Sequence, residues 1–456
     1  MDQFQHLLAR KRVMHLFLGS LTFLLTACAG IGSSVTMASI TPTTVVTTPT
    51  VALSPTAARL AADSCPQQLA AMTDCQTPHS MRVAYGMESL IEQGFTGKGE
   101  TVVDVVSYGS PTLQHDVDVF DQQFGLPPIT IQVQSPIGTA KPDPKNKDIA
   151  GWAEETTLDV ELIHAMAPGA GILVLTSPVD ETEGTIGMPQ FLQLEQYAVE
   201  HKLGQIFSQS YVASEPTLAD PQSRTLVQTY SNFYQQIASQ GWSVFTGSGD
   251  HGATDYTDLA STKISPTPIV NFPADVPWVT AVGGTALMQS TTGVGETAWG
   301  SGDSGSGGGF SKFFSEPDYQ KTLPADIQTQ LNGQRGIPDV AANADPDSAM
   351  AIYFDGNWQQ IGGTSAATPT WAGIIAVADQ MAGHPLGLIN SGLYKIEASA
   401  KAASDFRDIT SGDNTYSHDG VTVRGYQAAP GWDPVTGVGA PIGDKLLPDL
   451  ITALAS

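Results

Sequence analysis

Between residues 99 and 285, short apolar runs alternate with longer helix-like stretches, and no other feature of the 456-residue chain limits its fold as sharply. "GETVVDVVSYG" (99–109), "AGILVLTSP" (170–178), "GQIFSQSY" (204–211), "GWSVFTGSG" (241–249) and "PWVTAVGG" (277–284) each read as a buried strand. Between them lie helical stretches at Thr156 to Met166, Gln190 to His201 and Leu226 to Gln240. Strands separated by helices cannot pair as hairpins, so they line up in parallel, with the crossovers covering the sheet. The expected fold is α/β, a mostly parallel twisted sheet with helices on both faces. No internal repeat occurs, and no linker divides residues 66 to 456.

The first residues read differently. Arg10-Lys11-Arg12 precedes an apolar run from Val13 to Ala27, too short for an ordinary spanning helix and placed as an export signal would be. Leu25-Thr26-Ala27-Cys28 resembles a bacterial lipoprotein box, with Cys28 as the lipidated first residue of the mature chain. Ala27-Cys28-Ala29 also suits ordinary cleavage. Residues 1–27 are therefore expected to be a signal peptide, and the Thr/Pro-rich residues 28–62 a disordered tether. The remaining 63–456 form one domain outside the cell, lipid-anchored to the outer side of the bacterial membrane or secreted. Cys65 and Cys75, exported with nine residues between them, are expected to form a disulfide. With 45 acidic residues against 20 basic ones, a net charge of −25, the chain is not a nucleic-acid binder. That balance suits acidic surroundings, and equally a protein kept soluble by its charge.

Two glycines, a Ser and an apolar run make up "GGTSAATPTWAG" (362–373). The pattern puts Ser365 on a turn at the N-terminus of a buried helix, with Pro369 in the first helical turn. Such a Ser is either an activated nucleophile or only a cap, and its partners decide which. "GFTGKGE" (94–100) lacks the Ser or Thr of a phosphate loop, and "GSGDSGSGGGFS" (300–311) follows no strand, so both are turns. No H-E-x-x-H occurs, which argues against catalytic zinc. Glu155 and Asp159, in "GWAEETTLDVELIHAMAPGA" (151–170), stand at i and i+4 and share one helix face. Two like charges there repel unless they share a proton or serve chemistry. Glu154 and Glu161 fall off this face as solvated residues, and His164 as a packed or capping one.

"GTSAATP" is similar to the nucleophile segment of the subtilisin and sedolisin clan of serine peptidases. A subtilisin would need an H-G-T-H segment and an Asp where the first strand carries Val106. The chain instead resembles the sedolisins, the serine-carboxyl peptidases with a subtilisin-like fold. That resemblance continues through "YGSP" (108–111), "FPADVPWVTAVGGT" (272–285) and "GIPDVAANADP" (336–346), over about 380 residues in the family's order. It implies Ser365 as nucleophile, Glu155 as its general base and Asp159 as the group that holds Glu155. "FTGSGDHGATD" (245–255) implies Asp250 as an oxyanion-hole residue that donates a hydrogen bond only when protonated. His251 stands where relatives commonly have Ser, Val212-Ala213 where Gly is common, and Asp255 reads as surface. An ionised Glu155 beside a protonated Asp250 confines activity to acid, at roughly pH 3 to 5 on reference carboxyl values.

"FRDITSGDN" (406–414) and "AAPGWDPVTGVGAP" (428–441) resemble the family's calcium site. They imply the Asp408 and Asp433 carboxylates and the Ile409, Ala429 and Gly431 carbonyls as ligands of one structural Ca²⁺. Expected partners are protein or peptide substrates, with no nucleic acid, membrane contact only through the lipid, and a monomeric state. Only about 35 residues separate Cys28 from the domain, so no prodomain of the family's usual size is expected. The alternative is a catalytically weak or inactive, calcium-stabilised surface-binding protein on the same fold.

Overall fold

The computed structural model describes residues 64–455 except 73, 142, 144, 291 and 292. The signal peptide, tether and Cys28 lipid site expected from the sequence lie outside the described residues.

In chain order the elements that build the domain are α1 (Pro78–Ala84), β1 (Thr101–Ser107), α2 (Leu113–Phe124), β2 (Gln132–Gln134), α3 (Lys147–Met166) and β3 (Gly171–Ser177). There follow α4 (Met188–His201), β4 (Ile206–Gln209), α5 (Pro221–Ala238), β5 (Ser243–Gly247), β6 (Thr280–Ser290) and β7 (Gly293–Ala298). The last are β8 (Val340–Asn343), α6 (Thr364–Ala382) and α7 (Gly443–Ala455). Seven strands run parallel in the order β8-β6-β5-β4-β1-β3-β2, and β7 pairs antiparallel with β6. The five strand runs read from the sequence are β1, β3, β4, β5 and β6, of which β6 continues to Ser290. The short strands β2, β7 and β8 carried no pattern that set them apart.

The helices begin earlier than their apolar periodicity does. α3 starts at Lys147, where the Asn146 side chain accepts a hydrogen bond from the Asp148 N–H, and α5 starts at Pro221 behind the Asp220 cap. α3 and α6 pack against each other on one face of the sheet, and α4 and α5 cover the other. A Cβ on Gly373 of α6 would lie 2.8 Å from Met166 Cβ of α3, so the absence of a side chain there lets the two helices touch. Fifteen of the nineteen residues of α6 are buried, as its small, apolar composition requires. Pro369 sits well inside α6 rather than in its first turn, a correction to the sequence reading. Its missing N–H leaves the Ser365 carbonyl without a helical donor. Cys65 and Cys75 are disulfide-bonded, with Cα atoms 6.3 Å apart.

Candidate active site

The carboxyl ends of parallel strands leave a crevice where the strand order reverses, and here the elements after β3, β4 and β5 open onto it. Ser365, the second residue of α6, faces it together with Glu155 of α3 and Asp250 of the segment after β5. Glu155 lies within hydrogen-bonding reach of the Ser365 side chain and is 5% exposed. Burial, then repulsion from Asp159, raises its pKa well above the usual carboxyl range, while Ser365 pulls it back. The Ser365 N–H, at a helix N-terminus, donates to no acceptor among the described residues and points a free donor at the crevice.

Asp250 is held by one residue twice. Its Oδ1 accepts from the Thr364 N–H at 2.7 Å and from Thr364 Oγ1 at 2.8 Å. Burial raises its pKa, and those two bonds oppose the rise. Gly363 makes the arrangement feasible: its φ is +109°, and a Cβ there would lie 2.6 Å from Asp250 Oδ2. His251 turns away and pairs with Asp255 at 3.1 Å. Asp255 is fully buried and also accepts from Asn271 Nδ2, contrary to the surface position expected of it.

Behind Glu155, Asp159 is fully buried and its Oδ1 accepts from Ser210 Oγ at 2.8 Å. The same hydroxyl lies 3.4 Å from the Ser365 carbonyl that Pro369 leaves unclaimed; with one proton to give, it favours the carboxylate. A third carboxyl, Asp104 in the middle of β1, hydrogen-bonds Asp159 and finds no other partner for either oxygen among the described residues. Burial holds both pKa values well above the usual range, and Asp104 raises Asp159 further by repulsion. Two carboxyls can touch in this way only by sharing a proton, so they titrate as a pair. Asp104 was missed from the sequence, although a lone Asp inside "TVVDVVS" was its signal. Glu161 is a correction of the opposite kind: it is fully buried and accepts the Tyr353 N–H at 2.9 Å. His164 is packed as expected, with Nε2 3.0 Å from the Pro127 carbonyl.

In the C-terminal loops the Gly431 N–H donates to Asp408 Oδ2, joining the two loops, and the Ala429 N–H donates to Asp433 Oδ2 within the second. The carbonyls of Ile409, Ala429 and Gly431 accept no hydrogen bond among the described residues. Burial raises the carboxyls of Asp408 and, to about 6, of Asp433. Three unclaimed carbonyls beside two carboxylates form a hard, all-oxygen donor set, which fits Ca²⁺. Among the described residues no group of three or more His, Cys, Asp or Glu side chains is gathered for a metal, so backbone carbonyls would have to supply most of the ligands.

No family model matches the chain. It is 32% identical over 367 residues to kumamolisin of Bacillus sp. (strain MN-32), covering 79% of this chain and 61% of that protein. It is 30% identical over 354 residues to sedolisin of Pseudomonas sp. (strain 101), covering 75% and 56%. Tripeptidyl-peptidase 1 of Dictyostelium discoideum is 31% identical over 355 residues, covering 75% and 52%. The chain thus spans between about half and six tenths of the length of these relatives. Among solved structures, Pseudomonas sedolisin, a serine-carboxyl proteinase complexed with two molecules of pseudo-iodotyrostatin, superposes with a TM-score of 0.69 at 26% identity. That match covers 82% of this chain and 97% of the other.

Proposed function

The chain belongs to the sedolisin family, and on that premise we propose that it is an exported, acid-acting serine-carboxyl peptidase. The observation that carries the reading is Ser365 beside a buried Glu155 at the mouth of one crevice, with Asp250 and the free Ser365 N–H opening onto the same space. Ser365 Oγ attacks the substrate carbonyl carbon and its proton passes to the Glu155 carboxylate. The tetrahedral oxyanion accepts hydrogen bonds from the protonated Asp250 and the Ser365 N–H. Glu155 then gives its proton to the leaving amine, and the acyl-enzyme forms as the C–N bond breaks. Water, deprotonated by Glu155, attacks the ester, and Ser365 recovers its proton. Asp159, steadied by Ser210 and Asp104, orients Glu155 and does not touch substrate.

The working state needs Glu155 ionised and Asp250 protonated. Burial raises both groups, so the window moves upward from about pH 4 rather than down. Substrate class is protein or peptide. Asp408, Asp433 and the carbonyls of Ile409, Ala429 and Gly431 would hold a structural Ca²⁺ that ties the C-terminal loops down, with no part in the chemistry. Export through residues 1–27 and a tether over 28–62 complete the proposal.

The test is cleavage of a denatured protein at about pH 4 to 5 by wild type, Ser365→Ala and Glu155→Ala. Wild type alone should cleave, and activity should fall toward neutrality. Equal cleavage by all three, or none by wild type, overturns the peptidase reading and leaves a binding protein on the same fold.

A further inference from the structure

One wall of the crevice is acidic beyond the needs of the chemistry. Asp148 and Glu154 come from α3, and Asp180, Glu181 and Glu183 from the loop that follows β3. Among the described residues no Lys, Arg or His borders the crevice. Nor are these flexible surface acids. Asp180 Oδ1 accepts from Trp152 Nε1 at 2.6 Å, and Glu183 Oε2 accepts from the Ser214 N–H, Ser214 Oγ and Thr217 Oγ1 at 2.9 to 3.2 Å. Yet acceptor capacity is left over: Glu181 Oε1, and Oε1 of Glu155 (5% exposed), are buried with no partner among the described residues. Repulsion among Glu181, Glu183 and Asp180 adds to burial in raising the Glu181 carboxyl. Tyr211, Val212, Tyr256 and Ile361 also line the crevice and supply apolar surface along which a long aliphatic stem can lie.

We propose that this crevice selects substrates carrying a positive charge next to the scissile bond, seated between the apolar wall and the Asp180–Glu181–Glu183 loop. The inference rests on the peptidase reading for where the scissile bond lies. The shared chemistry is an N–H-donating cation, supplied by a Lys or Arg side chain or by the free α-ammonium of a peptide. Such a group meets the unclaimed oxygens and relieves the repulsion among them, whereas an acidic residue adds to it.

Binding of matched peptides to the Ser365→Ala protein at about pH 7, where the burial-raised carboxyls of the wall are more fully ionised than in acid, tests it without any cleavage. The peptides are identical except for Arg, Leu or Glu scanned through successive positions, each with a free and an acetylated N-terminus. At one position Arg should bind about tenfold more tightly than Leu, equivalent to 1.4 kcal/mol, and Glu weakest of all. Adding Glu181→Gln should shrink the Arg advantage at least about threefold while leaving the Leu peptide unchanged. If acetylation removes the advantage, the cation is the α-ammonium; if not, it is the side chain. Equal affinity for Arg and Leu at every position, an advantage that survives Glu181→Gln, or no binding of any cationic peptide overturns the inference. Failure of wild type to cleave would instead strike only the catalytic reading.

Discussion

Thr364 offers the sharpest test of the proposed role of Asp250. Its hydroxyl donates to Asp250 Oδ1 at 2.8 Å and accepts from the buried Gly249 N–H at 3.1 Å. Thr364→Val keeps the shape and removes both bonds. A hydrogen bond to an ionised carboxylate exceeds one to a neutral group by about 1 kcal/mol, so losing it penalises the charged form of Asp250. At 1.36 kcal/mol per unit, the Asp250 pKa should rise by about 0.7. The sign follows directly: activity requires protonated Asp250, is present below its pKa and is lost as pH rises through it. The alkaline limb of kcat/KM should therefore move up by about 0.7 of a pH unit. Orphaning the Gly249 N–H should separately cost about 1 to 3 kcal/mol of stability. The assay is kcat/KM on a quenched fluorescent peptide across the acid range, with Thr364→Ser, which keeps the hydroxyl, as control. An alkaline limb that stays put or moves down in Thr364→Val, while Thr364→Ser behaves as wild type, would refute the assignment of a neutral Asp250.

Three further outcomes are expected. Asp104→Ala, which leaves Asp159 Oδ2 alone in a dry interior, should cost about 2 to 4 kcal/mol in urea unfolding at acid pH, whereas Asp104→Asn, which supplies an N–H donor, should cost about 1; equal losses would deny the shared proton. Burial raises Glu195 and Asp379 each to about 8, so between about pH 4 and 8 the folded state holds protons that the unfolded chain releases, and stability falls as pH rises. The melting temperature should be higher at acid than at mildly alkaline pH, and a flat or opposite trend contradicts this. Chelator-treated protein should regain several degrees of melting temperature with Ca²⁺ and not with Mg²⁺, and Asp408→Ala should abolish the gain; at a hundredfold excess over Kd the effect is about 2.7 kcal/mol.

The sheet was readable because short apolar runs bounded by Gly, Pro or polar turns mark buried strands, and five of its strands are built on such runs. β2 and β7 lie at edges, and their mixed residues resemble loops. Glu155 and Asp159 could be paired from helical periodicity alone, and Ser365 could be set at a helix start. Their convergence needed the family resemblance, since nothing local in "FTGSGDHG" says that it meets α6. Asp104, Glu161 and Asp255 escaped for one reason. A charged residue is ordinarily on the surface, and only the tertiary structure reveals which carboxyls have a proton or a donor that makes burial tolerable.

None of the described histidines borders the crevice, and His251, next to Asp250 in sequence, is spent on Asp255. On the proposed mechanism, that sets the reagent profile of Ser365. Chloromethyl ketones, which inactivate by alkylating an imidazole next to the serine, have no imidazole to meet. A peptide aldehyde needs only the hydroxyl oxygen, with which it forms a reversible hemiacetal whose O–H and oxygen can occupy the donors at Ser365 and Asp250. A protease with this constellation would pass through an inhibitor panel built around histidine unmarked, and be stopped by one built around the tetrahedral carbon.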